Sequence, residues 1–182
     1  MNEICKACSL SSRSTNCKRG FGNSAAPLLI YITSPGYKKA EDLIVWMILK
    51  MGLSEKDVYI DYILRCPAPS GSKTKTSSKK TRLPIIETCT KLWPTFGRGQ
   101  EVVTLGNIPY EAFSDRSKVS GYEGRYDKEN EVWCGYGLDY CLQNPAEALR
   151  VWRLIYKAAE KAGLQPKHTD ITLFEFPEKM RL

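Results

Sequence analysis

The sequence predicts an α/β fold of three layers, α/β/α, around a central four-stranded, mainly parallel sheet. Three observations carry this. Strand-length apolar runs alternate along the chain with helix-length apolar patterns, the order that yields a parallel sheet covered on both faces. The 182 residues suit a single compact domain. Hydrophobic residues make up 42% of the chain and charged residues 26%, which supplies a packed core and argues against wholesale disorder.

Residues 1–26 are polar, basic and cysteine-bearing, and the Ser, Asn and Gly between Ser9 and Ser24 read as loop. The partly β-branched apolar run 28–33 is the first strand, stopped by the turn signal Ser34-Pro35-Gly36. Residues 40–51 are rich in long apolar side chains and end at Gly52, which suits the position after a helix. The run 58–64 is the second strand, ended by Pro67 and Pro69. Residues 70–81 read as a loop of Ser, Thr, Lys and Gly. Pro84 then fits the N-terminus of a short helix over 85–92, before Pro94. The third strand is 101–105, closed by Gly106-Asn107. Residues 119–130 are polar and Gly-bearing, a hairpin or loop, and 131–134 is a fourth, weaker strand. The clearest helix follows. Asn144 fits its N-cap, Pro145 its first position and Glu147 its third, and Leu149, Trp152, Ile155, Tyr156 and Ala159 share one apolar face. Gly163 ends it. Residues 164–182 form an extension in which 171–176 alternates like an edge or added strand. There is no internal repeat.

No apolar run approaches the roughly 18 residues of a membrane span, so no membrane partner is expected. The start, MNEICKACSL, carries Glu3 and two cysteines and does not read as a secretory signal. A cytoplasmic location is expected. The one histidine, His168, excludes a His-rich metal site, and no nucleophile motif accompanies it. It reads as a surface residue without a role.

Seven cysteines, an odd number, argue against a disulfide framework in such a chain. Cys5 and Cys8 form a C-x2-C; Cys66 closes the second strand, and Cys89 lies 23 positions later. Two thiols on one turn plus two from distant elements make a reasonable tetrathiolate, and soft thiolates select zinc or an iron–sulfur cluster. The alternative is seven reduced thiols, some buried as small apolar residues. Cys17, Cys134 and Cys141 read that way, with Cys17 a plausible substitute ligand.

From 65 to 82 the chain carries Arg65, Lys73, Lys75, Lys79, Lys80 and Arg82 with no acidic residue, and contributes to a net charge of +7. Interleaved Ser and Thr add hydrogen bonds suited to phosphate, so this stretch reads as an arm on a nucleic-acid backbone. The plainer reading is a solvated surface loop. Its place after a strand's carboxyl end, where α/β sheets bind ligands, favours the first.

The ordered set CKACSL, LLIYITSPG, VYIDYILRCPAP, a downstream cysteine, VVTLGN and YCLQNP resembles the uracil-DNA glycosylase superfamily over residues 1–163. It looks most like the iron–sulfur family 4 enzymes and their divergent viral relatives. The resemblance implies a four-stranded parallel sheet between helices. It also implies a 4Fe–4S cluster on Cys5, Cys8, Cys66 and Cys89, with zinc as the alternative. The ligand it implies is DNA, single-stranded or with a flipped base, and the partners are replication or repair proteins of a bacterial or phage-infected cell.

Departures from the family pattern fall on the pocket. Pro35 and Gly36 keep its Pro-Gly turn, but Thr33 stands where an acidic residue helps activate water, and a hydroxyl cannot act as a carboxylate general base. Tyr62, beside Asp61, stands where an Asn reads the uracil edge; a phenol offers one hydroxyl instead of a donor and an acceptor. Gly137-Leu138 replace a His-Pro motif, flanked by Gly135, Tyr136 and Asp139. The segment that carries a stacking aromatic is shortened, leaving Tyr37 as the nearest candidate. Removing one charge-stabilising donor typically costs about 10²–10³ in rate. The expectation is a DNA-binding protein of glycosylase fold with little uracil excision. One alternative is an active glycosylase using Thr33, Asp61, Asp139 or Asp42, with stacking on Tyr37, Tyr62 or Tyr136. The other is a protein–protein module that sequesters a partner.

Overall fold

The computed structural model describes residues 8, 17–67, 79–91, 99–114, 121 and 123–167. The chain runs β1 (Phe21–Gly22), β2 (Leu28–Ile32), α1 (Lys38–Lys50), β3 (Val58–Tyr62), α2 (Lys79–Thr90), β4 (Glu101–Leu105), α3 (Asn107–Phe113), β5 (Arg125–Asp127), β6 (Val132–Gly135), α4 (Leu138–Gln143) and α5 (Pro145–Lys161). The strands form one sheet in the order β1-β3-β2-β4-β6-β5. β2 pairs in parallel with β3 and β4, and β4 with β6. These are the four strands expected from the apolar runs. The sheet has six, however, because β1 and β5 add antiparallel edges of two and three residues. Strands so short and polar leave no periodic signal. The ambiguous 119–130 segment includes one arm of the β5–β6 hairpin.

Every residue of β2 and β3 is buried, as expected for central parallel strands. The pleat sends Leu28, Ile30 and Ile32 toward α1, α4 and α5, with Val58, Ile60 and Tyr62 from β3. Leu29, Tyr31 and Tyr59 face Ile85, Ile86 and Cys89 of α2, with Ile108 and Phe113 of α3 packed alongside. Helices therefore cover both faces. Helices α1 and α5 end alike. Leu53 N–H donates to Ile48 O and Gly52 N–H to Leu49 O; Leu164 and Gly163 do the same to Ala159 and Glu160. This double closure is why each helix stops at its glycine.

Three helical expectations need correction. α2 begins at Lys79, so Lys79, Lys80 and Arg82 belong to a helix and not to the preceding loop. Pro84 lies inside that helix; so near its start, the missing N–H removes a single intrahelical bond. Asn144 is the N-cap residue of α5, but its side chain makes no capping bond and donates instead to Tyr140 O at 3.0 Å. Short α3 and α4 had no counterpart in the sequence reading. Residues 171–176 and His168 lie outside the described residues.

Candidate functional site

The order of the parallel strands creates a switch point. β2 continues into α1 on one face, whereas β4 continues into α3 on the other. The chain thus leaves the carboxyl ends of β2 and β4 toward opposite faces, the switch point at which open α/β sheets commonly have a ligand-binding crevice. Thr33 follows β2 and Gly106 follows β4. Gly106 has φ 106° and ψ 171°, a conformation essentially restricted to glycine, and its N–H donates to Gly135 O at 2.9 Å. A Cβ at Gly106 would lie 3.3 Å from Gly137 Cα and 3.6 Å from Thr33 Oγ1. A Cβ at Gly137 would meet Asp139 Oδ1 at 2.6 Å. The structure therefore brings Thr33 and Gly137 together beside Gly106, a residue that the sequence marked only as the end of a strand, with Asp139 next to Gly137.

The Pro35-Gly36 turn follows Thr33, and a Cβ at Gly36 would lie 3.3 Å from Pro67 Cβ. Pro35 is buried, and Tyr37 is 39% exposed at the N-cap of α1. Gly36 N–H donates to Glu41 Oε1 at 3.1 Å, and Lys18 Nζ lies 3.6 Å from Glu41 Oε2. The Tyr62 hydroxyl also donates to Glu41. Burial pushes the Tyr62 phenol up, and Glu41 adds to the shift. Tyr62 is only 2% exposed and packs in the α1-side core, so it presents no open phenol to the crevice. Glu41 escaped the sequence reading, which named its neighbour Asp42, an exposed residue. The available signal was phase: Glu41 stands three positions before buried Ile44 and seven before buried Ile48.

Asp61 has a different setting. It is fully buried, accepting from Tyr62 N–H at 2.8 Å, Arg65 Nη2 at 2.9 Å and the Tyr59 hydroxyl at 3.4 Å. Burial pushes its carboxyl up, against the lowering effect of the Tyr62 N–H and Arg65. Tyr31, opposite Asp61 in the β2–β3 register, is raised by burial and by the Asp61 charge. Both Asp61 oxygens are engaged inside the protein.

Cys66 and Cys89 are buried in the α2-side cluster, and Cys8 and Cys17 pack against it. Lys18 N–H donates to Arg65 O at 2.9 Å, which ties the segment after Cys17 to the one before Cys66. Cys134 and Cys141 sit elsewhere, and burial pushes both thiols up to about 12, so they remain protonated apolar groups. Cys5 lies outside the described residues. Among the described residues, no three His, Cys, Asp or Glu side chains are arranged to hold a metal ion.

Lys73 and Lys75 lie outside the described residues. Lys79, Lys80 and Arg82 occupy the opening turn of α2, which has no acidic residue. That inverts the usual charge preference of a helix N-terminus. A separate open cavity of about 460 Å³ lies between α2 and α3, lined by Leu83, Ile86, Glu87 and Phe113 among others, and includes none of the predicted site residues. Among the described residues no helix is long and apolar enough to cross a membrane. Neither a family model nor a curated protein sequence matches the chain.

Proposed function

We propose that this protein binds DNA at the crevice between β2 and β4, in replication or repair, and excises uracil poorly. The observation that carries the reading is the meeting of Thr33, Gly106, Gly137 and Asp139 at the sheet's switch point. Base excision needs an aimed water, a reader of the base edge and stabilisation of the departing base. At the three places where the resemblance puts those tasks, Thr33 offers an uncharged hydroxyl, Tyr62 is committed to Glu41, and Gly137 has no side chain. Phosphates would be held by Lys73, Lys75, Lys79, Lys80 and Arg82. Anionic oxygens would complement basic residues that the first turn of α2 carries without an acidic one.

The cluster that the resemblance implies would be held by Cys5 and Cys8 of the C-x2-C and by Cys66 and Cys89; of these, Cys66 and Cys89 are buried in one cluster and Cys8 packs against it. A 4Fe–4S cluster bound there would supply a cross-link between the N-terminal segment, β3 and α2; zinc would serve the same end. Cys17 is the reserve ligand.

The test combines affinity for single-stranded DNA with a cleavage assay on strands containing uracil, hypoxanthine or xanthine. Binding with near-background cleavage is expected. Absence of DNA binding overturns the reading and leaves a protein-sequestering module. The position of Asp139 favours a second reading, because its carboxylate borders the crevice beside Gly137. Robust turnover that disappears in Asp139→Asn or Thr33→Ala would establish that reading, a glycosylase with altered chemistry.

A further inference from the structure

Tyr140 is 45% exposed, and its ring lies 5.2 Å from that of Tyr136, tilted by 40°. Tyr136 and Tyr140 bracket Gly137 and Asp139 in the chain, and Gly137 lies beside Gly106 at the switch point. Tyr136 is half-buried against the α1-side core, which fixes one ring, while Tyr140 offers the exposed one. Arg150 of α5 donates to the Tyr136 hydroxyl. Its side chain is 62% exposed and lies 3.3 Å from Glu147. Arg153 and Lys157, both exposed, continue the same face of α5 three and seven positions further on, roughly 10 Å along the axis at 1.5 Å per residue. Half-buried Glu147 and exposed Glu160 bound this basic stripe at its ends.

We propose that Tyr136 and Tyr140, with Arg150 beside them, form a stacking platform for an unpaired base of single-stranded DNA at the rim of the crevice. The inference rests on the DNA-binding reading and names the strand state it requires. An exposed aromatic face gains most from another flat π-face, and adjacent cations suit the phosphates that flank it. Bases in a duplex hide their faces in the stack, so only an unpaired base fits. The net charge of +7 complements such a strand.

The experiment uses the full chain and compares oligo(dT) with an abasic strand of equal length and charge. Tyr140 is exposed, so its replacement leaves the core intact. Tyr140→Ala is expected to weaken binding of oligo(dT) by roughly 5- to 150-fold, the range for loss of one aromatic–base stack. Its affinity for the abasic strand should stay unchanged. Tyr140→Phe should bind both strands like the parent, and Arg150→Ala should weaken both. If Tyr140→Ala binds oligo(dT) like the parent, or loses as much on the abasic strand, the platform is refuted while DNA binding stands. If the parent binds neither strand, the DNA-binding reading itself fails, and the platform with it.

Discussion

Gly106→Ala isolates the crevice. At φ 106° and ψ 171°, a side chain strains the backbone by about 1–3 kcal/mol. The new methyl would also stand 3.3 Å from Gly137 Cα, a backbone atom that cannot swing aside, and 3.6 Å from Thr33 Oγ1. For a chain of 182 residues each kcal/mol moves Tm by about 2–4 °C, so a fall of roughly 2–12 °C is expected. Gly163→Ala is the control, because it shares a positive φ, 78°, but has nothing within 4 Å of the added Cβ. Thermal unfolding and single-strand affinity would be measured for both variants. Gly106→Ala should be the less stable of the two and should alone lose affinity, because its methyl occupies the site. Two matched variants, equal in Tm and both with parental affinity, would refute the assignment of the ligand to this crevice.

Serine at Cys5, Cys8, Cys66 or Cys89 should each lower the iron content of anaerobically purified protein, read by absorption and iron assay, whereas Cys134→Ser and Cys141→Ser should retain it. Neutralising Lys73, Lys75, Lys79 and Lys80 together should weaken DNA binding alike for all sequences. The log–log slope of affinity against salt should flatten by about 0.7–0.9 for each phosphate no longer neutralised; an unchanged slope would return these residues to plain solvation. For Asp127, burial acts to raise the pKa, but hydrogen bonds from Asn130, the Tyr110 hydroxyl and the Glu129 and Asn130 N–H groups outweigh it and hold the carboxyl low. Its contribution to stability is therefore present above the unfolded pKa of about 3.9 and lost as pH falls through the lower folded value. Denaturant titrations at acid pH should show a flatter decline in Asp127→Asn, and an unaltered slope would contradict that assignment.

What the sequence revealed of the fold followed burial. β2 and β3 are buried along their whole length, and their apolar runs marked them within two residues of their observed ends. α1 and α5 were equally legible, because a one-sided apolar face and a terminal glycine act locally. α3 and α4 are held by packing: α3 buries Pro109, Tyr110 and Glu111, and α4 buries Leu138, Cys141 and Leu142, within segments too short for a period to emerge. At the site, Thr33, Gly137 and Asp139 are singled out by the resemblance to the glycosylase motifs, not by any local pattern. The approach of Thr33 and Gly137 to Gly106 depends on the crossover from β3 to β4, which no local pattern encodes. Asp61 is singled out as the neighbour of Tyr62, which stands at the family's base-reading position. Its partner Arg65 is four residues away across a bend, and only the folded chain joins the two at 2.9 Å.

The Tyr62–Glu41–Gly36 chain bears on how a ligand would be selected. One carboxylate takes the hydroxyl from the end of β3 and the N–H from the turn after β2, while Lys18 approaches from the N-terminal segment. Three separate parts of the chain thus meet on one side chain that is largely shielded from water. Opening Tyr62 toward a base would leave Glu41 short of a donor in that setting, a loss of about 1–3 kcal/mol for a buried polar group. Any base approaching the crevice would have to supply that free energy before Tyr62 could read its edge. Selection by a hydrogen-bond pattern at this position is therefore disfavoured. Under the DNA-binding proposal, discrimination would fall instead to features that need no such rearrangement: the close approach at Gly106, and the aromatic surface exposed at Tyr140.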